Sequence, residues 1–95
     1  MGTAGARFGY HDRMTNKARE GLNAAMAAEF RAERAAKSMT VAGLVDASGI
    51  GKSQLLRILN EHREIDMHDL ARLAHAFNLE PDELMRRAQD RLKQQ

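Results

Sequence analysis

Asp46–Leu59 reads DASGIGKSQLLRIL. A glycine pair, a lysine and a serine leading into an apolar helical pattern fit either a phosphate-cradling loop or the turn and second helix of a helix-turn-helix. The phosphate loop requires G-x-x-x-x-G-K-[ST], with backbone N–H groups around the phosphates, a neutralising lysine and a hydroxyl for magnesium. Gly51, Lys52 and Ser53 match its end, but its first glycine falls on Asp46, whose carboxylate would face the phosphates. Such a loop also follows a buried strand of a parallel sheet. Only VAGLV, Val41–Val45, stands where that strand belongs, and no later segment pairs with it. A dinucleotide fingerprint fails too, because its third glycine would be Gln54.

A helix-turn-helix makes other demands. Two short helices cross steeply, so the turn needs a residue able to take a left-handed backbone, and Gly49 supplies it. One apolar side chain from the turn enters the core, a role for Ile50. The first helix buries Leu44, and the second buries Leu55 and Ile58 while leaving its N-terminal face open. Apolar residues at 44, 50, 55 and 58 around Gly49 satisfy all of these requirements.

Outward from this unit, the pattern stays helical. Upstream, Thr15–Lys37 reads as an extended first helix opened by Thr15, with Leu22, Met26 and Phe30 at four-residue spacing. Gly21 and Asn23 weaken its first half. Residues 1–14, glycine-rich and aperiodic, read as a flexible N-terminal arm carrying Arg7, Phe8, Tyr10 and Arg13; residues 15–95 form the domain, with the helix-turn-helix at about 41–60. Thr40 caps the second helix, Val41–Ser48, and the third runs from Lys52 to about Asn60. Ile65 plugs a polar connector. Asp66 and Asp69 form a capping-box-like pair opening a fourth helix, Met67–Phe77, which turns Leu70, Leu73, Ala74 and Phe77 inward. Asn78 ends it, Leu79 plugs the core, and Pro81 opens a fifth helix with a Leu84, Ala88, Leu92 stripe. The expected architecture is all-α, a compact five-helix domain.

Bulk properties agree. Ninety-five residues, 43% of them apolar, suit one small domain with a modest core. The chain lacks cysteine, which removes disulfides and thiolate metal sites. No stretch approaches a membrane span, and no apolar N-terminal run marks a secretory signal, so a cytoplasmic location is expected. The net charge of +2 is unevenly spread: +3 over residues 1–39, zero over 40–64 and −1 over 65–95, which suits an anionic partner on one face. His68 and His75 share a helix face, but no third ligand accompanies them, and surface histidines are the simpler reading. No nucleophile motif organises the serines, histidines and acids into a catalytic group. Neither an enzyme nor a cofactor is expected.

Three segments in order resemble the phage-repressor-like helix-turn-helix proteins of the lambda repressor, Cro and Xre types. FRAERAAKSMT (Phe30–Thr40) is similar to the family's first helix and the start of its second. VAGLVDASGIGKSQLLRILN (Val41–Asn60) is similar to its two-helix reader, and REIDMHDLARLAHAFNLEPDELM (Arg63–Met85) to its closing helices. The sequence departs from that pattern at Ser38 (often glycine), Gly43 (commonly glutamate), Val45 (usually alanine), Ser48 (commonly aliphatic) and Leu56 (usually small and polar).

The resemblance implies a repressor-like protein that binds a double-stranded DNA operator with its third helix in the major groove. By position, Lys52, Ser53, Leu56 and Arg57 face the groove, with Gln54 at its edge. Lys52 suits guanine O6 or N7, Leu56 a thymine methyl, and Arg57 a base or a phosphate. Thr40 and Val41 at a helix N-terminus, Asn60, His62 and Arg63 beyond the reader, and Arg31 and Lys37 on the first helix are the expected phosphate contacts. Arg34, at i, i+3 and i+6 spacing with Arg31 and Lys37, either joins them at phosphates or pairs internally with Glu29 or Glu33. Expected partners are therefore operator DNA and a second copy in a homodimer, for which Leu84, Ala88 and Leu92 or the first helix would serve as the seam; no membrane or small-molecule ligand is expected. The competing reading is an antitoxin-type protein-interaction module that also binds its own operator.

Overall fold

The computed structural model describes the backbone of residues 2–94 and the side chains of residues 18–94. It has five helices in order: α1 (Gly2–Ala36), α2 (Val41–Ser48), α3 (Lys52–Leu59), α4 (Met67–Phe77) and α5 (Pro81–Lys93). Among the described residues there is no strand, and Val41–Val45 lies within α2, so the phosphate-loop reading falls. No helix among them is long and apolar enough to cross a membrane.

The helix ends follow from local chemistry. Thr40 Oγ1 accepts from the Gly43 N–H at 2.9 Å and caps α2. Gly49 ends α2 with φ 73°, and its N–H reaches the Val45 carbonyl. Asp66 and Asp69 form the full reciprocal capping box at the start of α4. Three other ends use non-glycine residues at positive φ: Ser38 after α1, Glu61 after α3 and Asn78 after α4. After each, the next residue's N–H reaches back five residues: Met39 to Arg34, His62 to Arg57 and Leu79 to Ala74. Met39 and Leu79 then turn their side chains onto the core.

The core gathers Met26 and Phe30 from α1, Leu44 from α2, Ile50 from the turn, Leu55, Ile58 and Leu59 from α3, Leu70, Leu73 and Phe77 from α4, and Leu84 and Ala88 from α5. Phe30 and Phe77 meet as a tilted ring pair at 6.4 Å between centroids. Helix α1 packs along α5 and also touches α3 and α4, while α2 packs on α3 and α4. Leu84 and Ala88, weighed above as a dimer seam, are fully buried in the monomer, with Leu92 half-buried beside them. They cover this chain's own core.

Two features of α1 depart from expectation. Its backbone is helical from Gly2, so Thr15 does not open it; Arg7, Phe8, Tyr10, Arg13 and Thr15 belong to the segment whose side chains lie outside the described residues. Gly21, read as a local weakness, serves tertiary packing. A Cβ there would approach Leu92 Cδ2 to 3.3 Å, so the missing side chain leaves room for the Leu92 methyl against α1.

The left-handed ends generate a paired prediction. Ser38 carries a side chain in a region that penalises one, and Gly49 carries none. Ser38→Gly is expected to raise stability by up to about 1 kcal/mol, and Gly49→Ala to lower it by about 1 kcal/mol through backbone strain alone, since a Cβ at 49 meets nothing within 4 Å. Urea unfolding with an unchanged m-value checks both.

Candidate nucleic-acid interface

Helix α3 has only eight residues, and its two sides differ sharply. Leu55, Ile58 and Leu59 are buried, whereas Lys52, Ser53, Gln54 and Arg57 are exposed. The spacing i, i+3, i+4 places the buried three on one stripe, so the exposed residues gather on the rest of the surface. Leu56 is half-buried and lies outside the core cluster. The first turn of α3 carries no acid, and Gly51 offers no side-chain cap, so the leading N–H groups keep their positive dipole end uncompensated.

The turn before α3 is held from within. Ser48 is buried, and its Oγ accepts from the Ile50 N–H at 3.1 Å. A serine where an aliphatic residue is common therefore replaces packing with a bond that fixes Ile50 as it enters the core. Gly43, another departure, leaves room beside the Thr40 cap: a Cβ there would approach Thr40 Oγ1 to 3.2 Å.

The residues expected at phosphates divide into two groups. Thr40, Asn60, His62 and Lys37 are exposed, Lys37 and Thr40 just before α2 and Asn60 and His62 just after α3, with Val41 half-buried against the core. Thr40 spends its hydroxyl oxygen on its own helix, and Lys37 lies 3.6 Å from Glu33. Arg31 and Arg63 instead bond to protein groups. Arg31 Nη1 donates to the Leu59 carbonyl at 2.6 Å and to Glu61 Oε2 at 3.3 Å, placing a cation at the C-terminal end of α3. Arg63 makes a bidentate pair with Asp69, Nη1 to Oδ2 at 2.7 Å and Nη2 to Oδ1 at 2.8 Å. Its Nη1 also donates to the Glu64 carbonyl and its Nε to Gln54 Oε1, each at 2.8 Å.

Hydrogen bonding to Asp69 lifts the Arg63 guanidinium above its ordinary pKa, against the opposing effect of burial. Burial alone would raise the Asp69 carboxyl. The bonds from Arg63 and from the Asp66 backbone outweigh it and hold that group below the usual carboxylate range.

Several of these contacts have no local sequence signature. Asn23 accepts from the Ile65 N–H at 2.7 Å and donates to the Arg63 carbonyl at 3.3 Å, fastening the α3–α4 connector to α1. Its only trace in the sequence is an asparagine inside a helix, where that residue is a poor choice unless its amide is used. Arg34 does turn inward, but to the Met39 carbonyl at 2.9 Å. Glu29 pairs with Arg91 and Glu33 with Arg87, clamping α1 to α5, and Glu33 also pairs locally with Lys37. His68 and His75 are exposed, and no group of three potential metal ligands occurs among the described residues.

Comparison with known proteins agrees with this geometry. The model of the Cro/C1-type HTH DNA-binding domain matches residues 30–90. Among solved structures, the Clp gene regulator ClgR from C. glutamicum superposes with a TM-score of 0.68 at 25% identity, over 75% of this chain and 92% of that one. No curated protein sequence matches this chain.

The Arg63–Asp69 pair makes a share of the stability depend on pH. Because folding depresses the Asp69 pKa, its contribution is present above the unfolded carboxylate value, about 3.9, and is lost as pH falls through the lower folded value. Asp69→Ala, which strands a half-buried guanidinium, should cost about 3 kcal/mol at pH 7. Asp69→Asn should keep the capping geometry yet flatten the fall in stability below pH 4, as measured by chemical denaturation across pH.

Proposed function

We propose that this chain, which belongs to the Cro/C1-type helix-turn-helix DNA-binding family, is a sequence-specific transcriptional regulator that acts by occupying a double-stranded operator. The observation that carries this reading is the two-sidedness of α3. A short helix buries three aliphatic side chains behind a left-handed glycine turn and leaves Lys52, Ser53, Gln54 and Arg57 outward. A helix of this width fits the major groove, where base edges display a distinguishable pattern of donors and acceptors.

On this reading Lys52, Ser53 and Arg57 address base edges, and Leu56, partly covered by the protein, offers its remaining surface to a thymine methyl. Lys37, Thr40 and the N–H of Val41 form one phosphate-binding flank, and Asn60 and His62 form the other. Arg31 and Arg63 act through their bonds within the protein. Their guanidinium groups fix the ends of α3 and its following loop, and so aim the residues that touch DNA. The protein works in a bacterial or phage-infected cytoplasm as a repressor-like factor with no chemistry of its own. One eight-residue reader gives limited discrimination, so two copies on paired half-sites complete the operator.

Selection from randomised duplexes, followed by salt titration, tests the proposal. The wild-type chain should enrich a defined sequence, with affinity for selected and random duplexes alike falling as salt rises. Lys52→Ala should lose about tenfold for the selected duplex and little for random DNA. Lys37→Ala should weaken both equally and lower the salt slope by about 1. Enrichment of no sequence, or equal affinity for selected and random duplexes, would contradict the reading.

A further inference from the structure

We propose that Arg63 is a specificity-determining positioning residue: by holding the Gln54 amide oxygen, it makes Gln54 a fixed hydrogen-bond donor toward an acceptor atom on DNA. The inference rests on the function proposed above and assigns a role within that surface.

Arg63 Nε–H donates to Gln54 Oε1 at 2.8 Å. A guanidinium has donors only, so its partner must be the amide oxygen; the NH2 end would set N–H against N–H. A glutamine on a helix surface is ordinarily able to present either end. Here the choice is made by a group that is itself immobilised. Both terminal nitrogens of Arg63 are engaged with Asp69, and Nη1 also with the Glu64 carbonyl. Asp69 is fixed in turn by the Asp66 N–H in the capping box of α4. One line of bonds thus runs from the first turn of α4 through Arg63 to the first turn of α3.

The amide NH2 of exposed Gln54 is the part that remains for a ligand. Its complement is a hydrogen-bond acceptor, either a phosphate oxygen or a major-groove acceptor such as guanine O6 or N7 or thymine O4. Glutamine's usual bidentate partner is adenine, which must donate to the same oxygen. The amide oxygen keeps a second lone pair beside Arg63, so adenine, donating from N6 and accepting at N7, stays among the possible bases.

The test uses the full chain and the duplex it selects. Duplex variants each carry one methylphosphonate, or one base analogue lacking a single major-groove acceptor, such as 7-deazaguanine. For the wild type, removing the acceptor used by Gln54 should raise Kd roughly five- to tenfold at one position. The kind of modification that does so identifies a phosphate or a base as the source. Gln54→Met should lose that one sensitivity and keep the others. Gln54→Glu still accepts from Arg63 but donates nothing, and should behave likewise. Arg63→Lys, with its melting curve recorded alongside, should lose the same single sensitivity, whereas a purely structural role would weaken all positions together. Because that substitution also loosens Asp69, a second readout uses the wild-type Arg63: its Nε–H should exchange slowly with solvent and be released in Gln54→Met. The inference is overturned by wild-type affinity in Gln54→Glu or by rapid Nε–H exchange in the wild type. A wild-type chain that selects no duplex overturns the underlying function first, and this role with it.

Discussion

An eight-residue helix does not hold its own shape in water, because nucleation costs more than so few backbone bonds return. Helix α3 is that short, and everything proposed for the protein requires it to keep one orientation. The constraint is met from three directions. Leu55, Ile58 and Leu59 anchor its inner side, the Gly49 bend and the Ile50 plug fix its start, and Arg31 of α1 grips the Leu59 carbonyl at its end. The domain can be understood as a frame for this one short element. Helix α1 braces it and α5 braces α1, while α4 supplies Asp69 for the loop that follows.

This frame explains how charge is used. The chain has fifteen cationic side chains of Lys and Arg but a net charge of only +2. Many of the arginines tie helices to one another or to carbonyls: Arg31, Arg34, Arg63, Arg87 and Arg91 all bond within the protein. Exposed pairs of this kind add little stability individually, although they restrict geometry. The half-buried Arg63–Asp69 pair differs, because it is bidentate and has its remaining acceptors satisfied. Basic residues therefore could not be assigned to DNA by charge alone; only burial and partners separate the outward Lys52 and Arg57 from the inward-bonded arginines.

The same distinction shows what was legible in the sequence. Helices α2 and α4 have the bounds that caps and periodicity specify, and the Asp66–Asp69 box and the Ile50 and Leu79 plugs lie where local chemistry places them. These signals are local, resting on one residue's dihedral preference or on a spacing of three or four. The rest depended on partners distant in the chain. Asn23 and Gly21 look like faults in a helix until Ile65 and Leu92 arrive beside them. Ser48 looks misplaced until its hydroxyl meets the Ile50 N–H. Asp69 was legible as a cap, but nothing in its neighbourhood announces that Arg63 would share its carboxylate and Gln54 would share Arg63. The Leu84–Ala88–Leu92 stripe is the reverse case, since its periodicity is equally suited to a core and to a dimer seam, and only packing decides.

Helix α3, held in its frame, is proposed as the element that enters DNA. Backbone amide NMR during titration with the selected duplex measures this most directly. Amides 52–57 should shift or broaden first, while those of Leu84–Leu92 stay in place. Stationary amides across 52–57, with the changes appearing along α5 instead, would contradict it.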